Sequence, residues 1–320
     1  MKPSQRKKNI DIITSALNEE DCLPEFFSRI QKVMASELSY KYRIIIMDNS
    51  SQDSTWQIIE KYSKSHSNIL GIQLSRTFTL DAAFTCGLDN ATGDLAILMT
   101  SDLQDPPELI PSLLRKYEEG FDQVLVRITK RGSVPLLRRV LSWGFYTIAA
   151  RMTEGMLPKS VSDFRLLSRK AYLGINKLRE NHRFMRGIGS WVGFNSTIIE
   201  MERPPRFAGE SKWLGISFYK VFGQASRSIF AYSAQPLMWL SIVGITSSLL
   251  TVFLLFALTL YWALGGARPF AGFGSLVALG SLGFSAIMMS IGILAQYLSL
   301  TYEEVKQRPL YLISETTKNL

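Results

Sequence analysis

The sequence predicts an α/β domain with a mostly parallel sheet, followed by two membrane-spanning helices. Short, continuous apolar runs alternate with amphipathic helical patterns over residues 9–128, which is typical of strands covered by helices on both faces. Between Arg227 and Glu303 the only charged side chain is Arg268. That stretch is long enough for two helices that each cross a bilayer.

The predicted strands and helices alternate regularly along the domain. Strands are predicted at residues 10–16, 43–47, 69–74, 95–99 and 123–128. Helices are predicted at residues 19–38, 53–62, 80–90 and 107–119. The carboxyl ends of parallel strands share one edge of a sheet, and open α/β sheets bind their ligands there. The loops that follow these strands are therefore where we expect a functional site.

The domain is predicted to cover residues 1–211, and two amphipathic patterns accompany it. At residues 212–232 the apolar positions fall on one helical face. Because this segment leads into the membrane, we favour a helix that lies at the bilayer surface. At residues 134–152 the pattern fits either an interfacial helix or a helix that covers the sheet, and the sequence does not separate these alternatives.

The two membrane-spanning helices are predicted at residues 237–264 and 273–298. A short turn makes them an antiparallel hairpin, so the domain and the tail at residues 301–320 are expected on the same side of the membrane. Lys and Arg are more frequent in the tail and before the first helix than in the turn. This distribution indicates a cytoplasmic domain and a cytoplasmic tail.

The basic charge is concentrated in the domain. The formal net charge is +9, and residues 235–320 carry four basic and three acidic side chains, so +8 lies in residues 1–234. A basic domain tethered to a bilayer favours anionic lipid headgroups or phosphorylated substrates as partners. We find no nucleic-acid-binding motif and predict no nucleic-acid partner. Cys22 and Cys86 fit neither a disulfide framework nor a metal motif.

The loop after the fourth predicted strand is rich in oxygen ligands. Residues 99–108 read Met-Thr-Ser-Asp-Leu-Gln-Asp-Pro-Pro-Glu, which places Asp102, Gln104 and Asp105 on the loop. Carboxylate and amide oxygens suit a hard cation such as Mg²⁺ or Mn²⁺, which commonly takes substrate phosphates as further ligands. The alternative is that the loop only caps the following helix. Spacing alone favours neither interpretation.

Two more polar loops, at residues 16–20 and 48–55, are expected at the same edge. Asp48 at the end of the second strand could accept a hydrogen bond from a ribose hydroxyl or a uracil N–H. Helix capping is the alternative, and Asp53 is well placed for it. Each loop alone is weak support for a site, whereas three polar loops that converge on one edge are stronger support.

Together these loops resemble those of the family 2 glycosyltransferases. The resemblance rests on Asn18-Glu19-Glu20, on motifs at residues 48–53, 74–78 and 89–94, and on Asp-Leu-Gln-Asp-Pro-Pro-Glu at residues 102–108. Motifs at residues 163–169 and 206–212, with the two-span tail, narrow it to the polyprenyl-phosphate glycosyltransferases, the dolichyl-phosphate-mannose-synthase-like group. Within that group the chain resembles the GtrB type. The resemblance covers nearly the whole chain.

The resemblance implies a GT-A (Rossmann-like) fold and an enzyme that transfers a hexose, with inversion, from a nucleotide sugar to a polyprenyl phosphate. UDP-glucose and undecaprenyl phosphate are the favoured substrates, at the cytoplasmic face of a bacterial plasma membrane. The alternatives are another nucleotide sugar such as GDP-mannose, or a non-catalytic nucleotide-binding membrane scaffold or transporter. The resemblance also implies a homo-oligomer, with a tetramer as the candidate.

The resemblance assigns a role to each candidate site residue. Asp102 and Gln104 would bind Mg²⁺ or Mn²⁺, although the family motif Asp-x-Asp-x-Gln begins here with Thr100, so its first carboxylate is missing. The residues carried over to donor binding are Glu20, Asp48, Asp81, Arg206 and Lys212. The residues carried over to the acceptor phosphate are Arg127 and Arg131.

A catalytic base is not required by this chemistry. A phosphate acceptor is already largely ionised at neutral pH, whereas a sugar hydroxyl would have to lose a proton. If the reaction uses a base, the candidates are Asp105 and Asp163.

Overall fold

The structure, a computed structural model, describes residues 7–130, 161–181, 183–208, 235–264 and 273–318 of the 320-residue chain. The chain divides into two units. The first contains Met1–Phe218 and Arg308–Leu320, and the second contains Tyr219–Gln307. Several predicted features lie outside the described residues: Arg131, Lys212, the amphipathic patterns at 134–152 and 212–232, and the turn between the last two helices.

The first unit is built on one eight-stranded mixed sheet. Its strands are β1 (Lys8–Ala16), β2 (Tyr40–Asp48), β3 (Ile69–Leu74), β4 (Leu95–Thr100), β5 (Gln123–Lys130), β6 (Val161–Ser168), β7 (Ser196–Glu202) and β8 (Ile313–Thr316). Their order is β7-β5-β6-β4-β1-β2-β3-β8. Strands β1 to β4 run parallel, β6 runs antiparallel between β4 and β5, and β8 runs antiparallel to β3.

Helices cover both faces of the sheet. The first unit contains α1 (Leu23–Ser36), α2 (Thr55–Ser65), α3 (Leu80–Asp89), α4 (Ile110–Glu118), α5 (Arg169–Lys177) and α6 (Met185–Trp191). The second unit contains α7 (Gln235–Ala263) and α8 (Phe273–Val305). A 3₁₀ turn at Pro107–Leu109 leads into α4. The alternation of strands and helices predicted up to residue 128 is thus present.

Strand β1 is buried on both faces. Ile12 and Ile13 point to opposite faces of the sheet, and neither has any exposed surface. Ile12 belongs to a core that includes Phe26 of α1 and Leu113 of α4. On the other face α3 approaches so closely that a Cβ at Gly87 would lie 2.2 Å from Ile13 Cγ2. Burial on both faces explains why the strand reads as a continuous apolar run.

The C-terminal residues add an edge strand to this sheet. β8 pairs with β3, and just beyond it the Thr317 N–H donates to Gly71 O over 3.0 Å. The Lys318 ammonium donates to Ser67 O over 3.0 Å. The tail predicted at residues 301–320 therefore begins within α8 and ends in the sheet of the first unit.

The second unit consists of α7 and α8 in its described part. Gly283–Val305 has the length and composition of a membrane-crossing helix, with a mean hydropathy of 1.5, and Leu237–Ser247 is a shorter apolar stretch within α7. The described residues thus contain one candidate span, and the predicted two-helix hairpin is supported only in part. The predicted homo-oligomer is not tested by a single chain.

Replacing Gly87 by alanine is expected to destabilise the first unit, because the added methyl group would overlap Ile13 and Met47. Overpacking of this kind costs about 1–3 kcal/mol of unfolding free energy. Urea unfolding of the detergent-solubilised protein, followed by tryptophan fluorescence, measures the change. Gly244→Ala is the matched control, since a Cβ there meets open space. If Gly87→Ala is as stable as the wild type, α3 does not pack against β1 and β2 as described.

Candidate active site

Most of the described residues predicted to form a site lie at one edge of the sheet. Asp48 ends β2, and Thr100 ends β4 beside Ser15 of β1. β6 runs in the opposite direction, so its first residue, Val161, lies at the same edge and pairs with Arg127 of β5. The sheet therefore brings together stretches that are far apart in the sequence.

The loop after β4 is held in a tight turn by its own carboxylates. The Thr100 hydroxyl lies 2.8 Å from Asp102 Oδ1 and 2.8 Å from Asp105 Oδ2, so its single proton can serve only one carboxylate at a time. The Gln104 N–H donates to Asp102 Oδ1 over 3.1 Å, and Leu103 has a left-handed φ of 60°. The threonine that replaces the first carboxylate of the motif thus orders this loop.

Asp105 connects the β4 loop to the rest of the site. Its carboxylate is fully buried and accepts hydrogen bonds from the Thr100 N–H over 3.0 Å and from the Ser162 hydroxyl over 3.2 Å. Arg203 Nη2 lies 3.8 Å away. Burial raises the pKa of Asp105, and the charge of Arg203 opposes this change. Asp105 therefore joins the loop both to β6 and to the segment after β7.

Asp102 and Gln104 together offer two oxygen ligands for a cation. Within the part of the chain that the structure describes, no group of three or more His, Cys, Asp or Glu side chains could hold a metal ion. An ion held by Asp102 and the Gln104 amide would take its remaining ligands from donor phosphates and water, as Mg²⁺ commonly does. The oxygen atoms of these two side chains are of the kind that Mg²⁺ and Mn²⁺ bind.

The loops after β1 and β2 are tied together. Glu20 Oε2 accepts from the Ser54 N–H over 2.9 Å, so this carboxylate caps the first turn of α2. Asp48 is fully buried and accepts from the Gln73 amide over 3.1 Å and from the Ser51 N–H over 3.2 Å. Asp48 is thus fixed where β2 ends beside β3.

Arg206 is tied to this edge by an ion pair with Glu19. The motif had predicted a role in donor binding for the next residue, Glu20. Arg206 Nη2 lies 2.6 Å from Glu19 Oε2, and the next N–H, of Phe207, donates to Asp102 O over 3.5 Å. Two adjacent glutamates after a strand look equivalent in the sequence. Only the structure shows that one is paired with an arginine and the other caps a helix.

A second group of charges lies between β6, α3 and α6. Asp163 accepts two hydrogen bonds from Arg186, of 2.9 and 2.6 Å. The buried Arg165 donates to Met185 O over 2.9 Å, and Asp81 accepts from the Met185 N–H over 2.8 Å. Together these groups fix the first turn of α6. Arg165 and Arg186 were not predicted as site residues, although an arginine within an apolar strand signals an internal charge pair.

The pKa values of two carboxylates in this group move in opposite directions. Burial raises the pKa of Asp81 to about 6, and the charge of Asp163 adds to the effect. Burial would also raise the pKa of Asp163, but the charge and hydrogen bonds of Arg186 outweigh it and lower that pKa. At neutral pH Asp163 is therefore ionised and held by an arginine, which makes it a weak proton acceptor.

Arg127 lies at the edge of the sheet that carries the candidate site, but its ion pair is with Glu200. Its Nη1 lies 3.8 Å from Glu200 Oε1 on the neighbouring strand β7, and 41% of the Arg127 side chain is exposed. The structure thus brings Asp102, Gln104, Asp105 and Arg206 together around the β4 loop. Among the residues that the structure describes, the ion-pair partner of Arg127 at this edge is Glu200 and not one of these four.

Comparison with known proteins gives a match over the α/β domain. Residues 11–174 match the family described as glycosyl transferase family 2. Relatives align over nearly the whole chain. An uncharacterized glycosyltransferase of Synechocystis sp. is 37% identical over 96% of this chain and 95% of its own length.

Two of these relatives have more specific names. A prophage bactoprenol glucosyl transferase homolog of Escherichia coli is 32% identical over 97% of this chain and 99% of its own length. A bactoprenol glucosyl transferase of Shigella phage SfX is 33% identical over 95% of this chain and 98% of its own length. The alignments therefore extend over the C-terminal helices as well as the domain.

Asp81→Asn is expected to change how stability depends on pH. Folding raises the pKa of the Asp81 carboxyl group from 3.8 to about 6. The ionised carboxylate therefore lowers the stability of the folded protein at pH values above about 6. This loss of stability disappears as the pH falls toward 3.8, because the group is then protonated in both the folded and the unfolded state. Asparagine cannot ionise and can still accept from the Met185 N–H. The variant should therefore gain about 3 kcal/mol relative to the wild type as the pH rises through about 4 to 7. Urea unfolding at a series of pH values measures this; a difference independent of pH would contradict it.

Proposed function

Since this chain belongs to glycosyl transferase family 2, we propose that it transfers glucose from UDP-glucose to undecaprenyl phosphate at the cytoplasmic face of the membrane. The observation that carries the proposal is the near full-length similarity to bactoprenol glucosyl transferases. Bactoprenol is another name for undecaprenol. The similarity includes the C-terminal helices, which are the part of the chain suited to meet a lipid substrate.

The edge of the sheet has the chemistry that a sugar nucleotide needs. Asp48 is assigned to the nucleoside from the motif alone, since its carboxylate is buried where β2 ends and already accepts from the Gln73 amide and the Ser51 N–H. Asp102 and Gln104 are assigned to a divalent cation, which when bound would offset the charge that develops on the leaving diphosphate. Arg206 is next to that loop and can hold phosphate oxygens through two parallel N–H donors.

The acceptor phosphate supplies its own nucleophile. An ionised oxygen of the lipid phosphate attacks C1 of glucose, the bond between C1 and the donor phosphate oxygen breaks, and UDP leaves. No proton has to be removed, which agrees with Asp163 being held by Arg186 and Asp105 being fully buried. Cations must offset the repulsion between the two phosphates, and Arg127 and Arg131 are assigned to this role.

The edge strand β8 supports two membrane crossings. β8 is hydrogen-bonded to β3, so the chain returns to the first unit after leaving it. Because a folded domain lies on one side of a bilayer, the segment between must cross an even number of times. Gly283–Val305 provides one candidate crossing. The 29-residue helix α7, which contains no charged residue, is the natural second crossing.

Cysteine labelling tests this arrangement in spheroplasts. Ala267→Cys, in the predicted turn, is expected to react with a membrane-impermeant maleimide from outside. Gln307→Cys is expected to react only after the membrane is permeabilised. The native Cys22 and Cys86 are buried and should give little background. Equal labelling of the two positions from outside would contradict two crossings.

An assay of transfer tests the substrates. Purified protein with Mg²⁺ or Mn²⁺ is expected to move radiolabel from UDP-glucose to undecaprenyl phosphate, and EDTA is expected to stop the reaction. Asp102→Asn should lower kcat by about 100-fold or more. The control is Glu119→Gln, an exposed carboxylate just after α4, which should keep wild-type turnover.

The possible failures of this assay are distinguishable. If a different sugar nucleotide is used instead, only the donor assignment is wrong. If no sugar nucleotide labels the lipid, the proposed transfer to undecaprenyl phosphate is wrong. Near-normal turnover by Asp102→Asn would show that the cation is held elsewhere.

A further inference from the structure

The segment after β7, residues 203–208, crosses the candidate site. We call this segment the strap. Arg203 Nη2 lies 3.8 Å from the buried carboxylate of Asp105. Four residues later the Phe207 N–H donates to Asp102 O over 3.5 Å. The strap is therefore in contact with the loop to which the cation and the donor diphosphate are assigned.

The far end of the strap is held by Arg206. Its Nη2 lies 2.6 Å from Glu19 Oε2, with 16% of the arginine and 8% of the glutamate side chain exposed. Its Nε donates to Ala208 O over 2.7 Å, and the Cys22 thiol donates to the same oxygen over 3.6 Å. Burial, with the charge of Glu19 as the second cause, raises the pKa of Cys22 to about 11. The thiol therefore keeps the proton that it donates.

Glu19 presents its carboxylate from a fixed backbone. Its N–H donates to the Thr55 hydroxyl over 2.8 Å, and its carbonyl accepts from the N–H groups of Cys22 and Leu23, each over 3.0 Å. These bonds join the start of α1 to the start of α2. The position of the carboxylate is thus set by the fold, whereas Arg206 is on a segment without regular secondary structure.

A cavity of about 370 Å³ lies beside this ion pair. Its walls include Glu19 and Arg206 together with Asn18, Gln52 and Asp53. A phosphate group near Asp102 would be close to the strap, because the backbone of the strap contacts Asp102 directly. Arg206 therefore has two anionic partners within the same region, one built into the protein and one brought by the donor.

We propose that Glu19 stands in for the donor diphosphate: it holds Arg206 and the strap at the edge until the donor binds, and Arg206 then exchanges the Glu19 carboxylate for a diphosphate oxygen. The proposal rests on the proposed function, because it takes a nucleoside diphosphate as the ligand. Glu19 is a positioning residue in this scheme, since it acts through Arg206.

The exchange conserves the bonding of Arg206, and its cost is that the Glu19 carboxylate, 8% exposed, gives up its arginine partner. Arginine forms charge-assisted hydrogen bonds with carboxylates and with phosphates, so one bond replaces another of the same kind. A largely buried arginine without an anion would be unfavourable, and Glu19 removes that cost when no donor is present. The same pairing has to be broken when the donor arrives. Glu19 therefore weakens donor binding and in return keeps the strap ordered.

Calorimetric titration of the full-length protein in detergent with UDP tests the exchange. Glu19→Gln keeps the size of the side chain without its charge, and it is expected to bind UDP about three- to tenfold more tightly. Arg206→Gln is expected to bind UDP more weakly, and adding Glu19→Gln to it should change nothing further. The control is Glu119→Gln, an exposed carboxylate just after α4 that does not line this cavity, which should keep wild-type affinity.

Hydrogen exchange over residues 203–208 gives a second readout that does not depend on affinity. Without UDP, Glu19→Gln should exchange faster there than the wild type, and saturating UDP should restore protection in both. If Glu19→Gln weakens UDP binding with or without Arg206, Glu19 contacts the nucleotide directly and the exchange is wrong. Unchanged affinity and unchanged hydrogen exchange would also overturn it. A folded wild-type protein that binds no UDP would instead reject the proposed donor, and the exchange with it.

Discussion

Burial of the central parallel strands on both faces is the constraint on which the rest of the structure depends. Ile12 and Ile13 of β1 are completely buried on opposite faces, so a shift of register by one residue would exchange the two faces and disturb both layers of helices. This register holds the last residues of β1, β2 and β4 at one edge. The loops that follow these strands therefore lie close together at that edge. The geometry of the candidate site is thus a consequence of hydrophobic packing in the middle of the sheet.

Ion pairs between acids and arginines organise the candidate site further, and they depend on the packing of the central strands. Three buried or nearly buried acids each lie beside an arginine from another element: Asp105 beside Arg203, Asp163 beside Arg186, and Glu19 beside Arg206. A buried carboxylate needs such a partner, and each partner also ties a separate segment to the edge. The strap and the first turn of α6 are held in this way. The ion pairs between these acids and their arginines therefore also assemble the site.

The parts of the fold that could be predicted are those in which one local pattern leaves few alternatives. Continuous apolar runs indicated the strands up to residue 128, and polar residues directly after those strands indicated Asp48, Asp102 and Gln104. The edge strand β8 could not be found in this way, because Ile-Ser-Glu-Thr is short and mostly polar and is held by backbone hydrogen bonds to β3. The ion pair between Arg186 and Asp163 could not be predicted either, because no local pattern in either segment indicates that these two side chains are in contact.

The sequence by itself determined the α/β architecture, the edge at which the candidate site lies, the family and the apolar character of the C-terminal helices, because hydrophobic periodicity and motif spacing are local properties. Only the tertiary structure decided which of two adjacent glutamates binds Arg206, how Thr100 fills the place of a missing carboxylate, and that the tail belongs to the sheet. Those outcomes depend on distances between residues that are remote in the chain, such as the 2.6 Å between Glu19 and Arg206. Folding brings such groups together, and no local pattern records them.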